Sequence, residues 1–62
     1  MSEPEDYFEL EWEVNGFRMT DRFHANQLKT TMTQARHLQA LGYMPQVTRV
    51  VRGTVRLDVP IR

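Results

Sequence analysis

Between Tyr7 and Phe23, apolar and polar positions alternate with a period of two, and the alternation is interrupted once, at Asn15-Gly16. That period sends successive side chains to opposite faces of a strand. Asn-Gly supplies two residues that tolerate the positive φ of a type I′ turn. The segment therefore reads as a β-hairpin with Val14 opposite Phe17. Counting away from the turn pairs Glu13 with Arg18, Trp12 with Met19, Glu11 with Thr20, Leu10 with Asp21, Glu9 with Arg22 and Phe8 with Phe23. One face then carries Phe8, Leu10, Trp12, Val14, Phe17, Met19 and Phe23. The other carries Tyr7, Glu9, Glu11, Glu13, Arg18, Thr20 and Arg22, with acids directly across from arginines as a register-fixing device. Asp21 falls on the apolar face and is expected near the sheet's end, where it reaches water or the first amides of a helix. Trp12 is expected at the centre of the core.

The period then changes. Ala25, Leu28, Met32, Ala35, Leu38 and Leu41 recur at intervals of three and four, which predicts an amphipathic helix from about Ala25 to Leu41 with one buried stripe. His24 or Asn26 stands where an N-cap is needed. Gly42 supplies a left-handed residue to end the helix, Tyr43 folds back on Leu38, and Pro45 prevents continuation. The stretch "QVTRVVRGTVRLDVPIR" is rich in β-branched residues and admits two readings. Arg52-Gly53 makes a second tight turn, with Val51 facing Thr54, Val50 facing Val55 and Thr48 facing Leu57, or one long strand bends at Gly53 through a bulge. The hairpin is the preferred reading, although it sets Arg49 opposite Arg56. Pro60 ends strand pairing either way.

These elements specify an α+β domain: a β-hairpin, one amphipathic helix, then one or two further strands (ββαβ or ββαββ). The helix packs on one face of a small antiparallel sheet and leaves the other face open. Residues 1–4 read as a flexible acidic tail and 5–62 as a single α+β domain.

Composition sharpens this picture in two places. The chain of 62 residues has no cysteine, so disulfides and thiolate metal sites are excluded. A small core with no such staple leaves association as a further source of stability. No apolar run approaches the ~20 residues of a membrane span, and the acidic start lacks the basic and apolar regions of a signal peptide. A cytoplasmic location with no membrane partner is the expectation. The formal net charge is zero, yet all six acids before Val14 precede any basic residue, whereas Arg49, Arg52, Arg56 and Arg62 face only Asp58 in the last stretch. The two ends are expected to neutralise each other as neighbouring strands.

The residues give catalysis little to work with. His24 and His37 are the only imidazoles and have no second ligand at helical spacing, so no metal and no cofactor are expected. Glu9, Glu11 and Glu13 project to one side, but arginine neighbours keep carboxylates ionised and unsuited to general-acid work. The single serine, Ser2, lies in the tail, and the three glycines sit singly at turns, which excludes a phosphate loop. A non-enzymatic protein-interaction module is the resulting expectation. Its candidate partner-binding residues are Glu9, Glu11, Arg18 and Arg22 on the open face and Arg49, Arg52 and Arg56 on the last strands, and an edge strand offers a route to a homodimer. The alternative is a nucleic-acid-binding domain that sets the arginines of the last strands against phosphates.

The layout "YFELEWEVNGFRMTDRF", then "AxxLxxxMxxAxxLxALGY", then "VTRVVRG" resembles that of small hairpin-helix-strand accessory proteins of bacteriophages and mobile elements of GC-rich bacteria. Seven arginines to one lysine suit such a source. The resemblance implies a small protein that binds and modulates a larger one, and it carries over no functional residue.

Overall fold

The computed structural model describes residues 6–62, so the acidic tail expected over 1–4 lies outside the described residues. The elements are β1 (Tyr7–Val14), β2 (Phe17–His24), α1 (Leu28–Ala40), β3 (Gln46–Val51) and β4 (Val55–Val59). The fold is thus ββαββ. All four strands form one antiparallel sheet in the order β2-β1-β3-β4. Because β1 runs against both of its neighbours, β2 and β3 run the same way and α1 carries the chain across β1 between them.

The first hairpin has the register that its alternation predicts, from Val14 opposite Phe17 to Phe8 opposite Phe23. Asn15 (φ 50°) and Gly16 (φ 86°) both take the left-handed conformation of the type I′ turn. Pairing with β3 sets Leu10 across from Val47 and Phe8 across from Arg49, on the face that α1 covers. The core there is Phe8, Leu10, Met32, Ala35 and Val47, with Trp12, Phe23, Leu38, Val59 and Ile61 packed around it. Trp12 therefore belongs to the margin of the core, not to its centre. Leu10, 1% exposed, holds the centre because β1 is an interior strand and Leu10 lies midway along it, whereas Trp12 sits toward the turn.

The helix starts three residues later than its apolar period implies. The Gln27 amide donates to the His24 carbonyl (2.9 Å), and the Gln27 Oε1 accepts from the His24 amide (3.0 Å), so His24 to Gln27 close a turn. Neither His24 nor Asn26 caps α1. Gln27 occupies the cap position without a side-chain hydrogen bond to the helix. The buried stripe is Thr31, Met32 and Ala35, with Leu38 half-buried, while Leu28 and Leu41 at the two ends are exposed. A straight helix on a twisted sheet touches it at its middle, and its ends diverge. Thr31 is tolerated there because its hydroxyl donates to the Gln27 carbonyl at 2.8 Å. At the other end the amide of Gly42 (φ 95°) donates to Gln39, and the amide of Tyr43 donates to Leu38. This pair of bonds is a Schellman motif, and it places Tyr43 against the last turn as expected.

The last stretch is the hairpin of the preferred reading and not one bent strand, but its register differs from the simple two-residue turn. Arg52 (φ 54°) and Gly53 (φ 69°) form a tight turn closed by the Thr54 amide on the Val51 carbonyl, and Thr54 is then an extra residue, because Val51 pairs with Val55. The pairing is shifted by one from the simple turn: Val50 faces Arg56, Arg49 faces Leu57 and Thr48 faces Asp58. The shift removes the Arg49–Arg56 clash by sending these two side chains to opposite faces of the sheet. Val50, set opposite Tyr7 by the pairing of β3 with β1, lies on the face away from the helix, where it is nonetheless fully buried.

Candidate functional site

The shift in β4 builds a charge network on the face opposite α1. Glu9 on β1 is 6% exposed and lies between Arg22 on β2 and Arg56 two strands away on β4. Arg56 donates to Glu9 at 2.7 Å, and Arg22 approaches the other carboxylate oxygen at 3.6 Å. Glu11 takes Arg18 at 2.9 Å and Arg56 at 3.7 Å. The guanidinium of Arg22 stacks 4.8 Å from the centre of the Tyr7 ring. The hydrogen bond from Arg56 holds the Glu9 carboxyl below its ordinary value, with the Arg22 charge acting the same way and burial opposing. The same bond raises Arg56. This face is open to solvent but internally satisfied: Glu9, Thr48 and Val50 are buried, and no buried polar side-chain atom among the described residues lacks a partner.

The expected partner-binding residues separate into three places. Glu9, Glu11, Arg18 and Arg22 come together as the alternation implies, and Arg56 joins them. Arg49 lies on the helix side, 6.0 Å from the centre of the Phe8 ring. Arg52 occupies the second turn, where its amide donates to the Asp6 carboxylate at 2.9 Å. The last strands therefore do not gather Arg49, Arg52 and Arg56 on one surface.

The helix side carries a different feature. Helix α1 lies over β1, β2 and β3 and leaves β4 uncovered. Between α1 and β4 runs a groove of about 430 Å³ with an apolar floor of Leu28, Met32, Val59 and Pro60 and a rim of Lys29, Arg36 and Arg62. Arg36 is fixed on that rim by its hydrogen bond to the Arg62 carbonyl. Among the described residues no acidic side chain lines the groove, and α1 itself contains none. Asp21 shares this side of the sheet but stands on β2, at the opposite edge. The groove was invisible to periodicity, because Leu28 reads as a core position and the rim residues are far apart in sequence. The signal that could have exposed it is the acid-free run from Gln27 to Arg36 facing the equally acid-free Val59 to Arg62.

His24 and His37 are separated by most of the helix, and no group of three His, Cys, Asp or Glu suited to a metal occurs among the described residues. Among the described residues no helix is long and apolar enough to cross a membrane. No protein-family model, no curated protein and no solved structure matches this chain.

Proposed function

We propose that this protein is a non-enzymatic interaction module that binds an acidic, partly apolar segment of a larger protein in the groove between α1 and β4. The observation that carries the reading is the sorting of charge by face. The acids cluster on the open face and are matched there by Arg18, Arg22 and Arg56. Among the described residues the cations of the groove rim have no acidic side chain beside them, Arg36 being held by the Arg62 main-chain oxygen, and an apolar floor lies between them. Apolar contact supplies affinity and the rim cations select partners of opposite charge. Carboxylates held ionised by arginine have no general-acid role, which supports binding over catalysis. The layout agrees with an accessory protein of a phage or mobile element that modulates a cytoplasmic host machine. A groove whose described lining is apolar and holds no aromatic ring for base stacking favours a protein partner over nucleic acid.

The test is affinity capture of the tagged protein from lysate of its source cells, with and without nuclease, beside Leu28→Glu and Arg36→Glu variants. A protein retained after nuclease and lost with both variants supports the proposal. Capture that disappears with nuclease makes the module a nucleic-acid binder instead.

A further inference from the structure

Among the described residues β2 and β4 are the two edges of the sheet, and such edges pair with other chains unless their side chains forbid it. In a twofold pairing of identical antiparallel strands, the axis passes through one residue, which then faces its own copy. On β2 the central registers set like charges together: centring on Thr20 brings Arg18 opposite Arg22, and centring on Asp21 or Arg22 brings that residue opposite itself, while centring on Met19 avoids this but offsets the strands toward their turn ends and pairs no opposite charges. On β4, centring on Arg56 or Asp58 does the same. Centring on Leu57 does the reverse, setting Arg56 opposite Asp58, Asp58 opposite Arg56 and Val55 opposite Val59.

We infer that β4 pairs with β4 of a second copy about a twofold axis through Leu57, joining two sheets into one of eight antiparallel strands. The side chains on both faces suit that union. Val55 and Leu57, about half exposed, lie on the helix side, where the second copy covers them. Arg56 keeps donors beyond the one given to Glu9, and among the described residues Asp58 is engaged by a single 3.3 Å bond from Gln46. The axis stands perpendicular to the sheet, so both helices lie on the same side. Five strand spacings separate them by about 24 Å, which leaves room for one further helix of ~10 Å diameter. The groove, walled on one side by α1 in a single copy, becomes a trough walled on both.

The absence of cysteine makes single-cysteine variants clean probes. Leu57→Cys is expected to oxidise to a covalent dimer about tenfold faster than Met19→Cys on β2, because only the former faces its own copy at disulfide distance. In sedimentation velocity the native protein shows a concentration-dependent dimer, and Asp58→Arg, which sets arginines against one another, shifts it to monomer that keeps the native circular-dichroism spectrum and whose thermal unfolding no longer depends on concentration. Leu28→Glu leaves the dimer intact, so failure of the groove reading and failure of this one are told apart. Native protein that stays monomeric at every concentration, or Leu57→Cys that cross-links no faster than Met19→Cys, would overturn the inference.

Discussion

The Arg56 guanidinium meets the Glu9 carboxylate at 2.7 Å across β3, although the two residues are 47 positions apart. The bond ties the second hairpin to the first on the face that has no helix. A carboxyl whose pKa is depressed in the folded state stabilises the fold above its ordinary range and loses that contribution as pH falls through the depressed value. Arg56→Ala should therefore lower the urea midpoint at pH 7. The gap to the native protein should narrow below about pH 4, where Glu9 becomes protonated in the unfolded chain. A gap that stays constant with pH would mean that Arg56 acts through packing alone.

Burial ranks the core differently from side-chain size. Leu10 is enclosed on an interior strand, and Leu10→Ala should cost about 2–5 kcal/mol, comparable with the ~3–9 kcal/mol total expected of a domain this small. Trp12 lies at the core's margin, and Trp12→Ala should cost only about 1–3 kcal/mol. Chemical denaturation of the two variants checks the order: the tryptophan variant stays folded, and the leucine variant is largely unfolded.

At the end of α1, Gly42 has φ 95° and nothing near the position a Cβ would take. Gly42→Ala is thus strained by backbone conformation and not by a clash, at a cost of about 1–2 kcal/mol. Thermal unfolding should register this loss. Asn in the same position should lose less, since it tolerates left-handed backbone.

The first hairpin was legible in the sequence because Asn15-Gly16 fixes the turn, and every pairing follows by counting. The helix end was legible for a similar local reason, the Leu41-Gly42-Tyr43 stop. Its beginning was not, since Gln27 ends a turn through backbone and amide contacts that no capping preference announces. The second hairpin was half legible: Arg52-Gly53 marks the turn, but the extra residue Thr54 is favoured by what it does two strands away, where it lets Arg56 reach Glu9. The open-face charges could be read from alternation. The groove depends on how far one helix extends over four strands, which is a property of packing and not of any local pattern.

Leu28 is exposed in the first turn of α1, where a carboxylate suits the helix dipole. Leu28→Glu should consequently leave thermal stability unchanged or slightly raised while abolishing partner capture. A variant that binds normally would remove the groove from the account.

The most direct test of the central claim is selection of a random displayed peptide library against the protein, with counter-selection against Leu28→Glu. Acidic peptides bearing apolar anchors should be enriched, with binding that weakens as salt rises and vanishes on the Leu28→Glu surface. Enriched peptides that are basic, or that bind both surfaces equally, would contradict that claim.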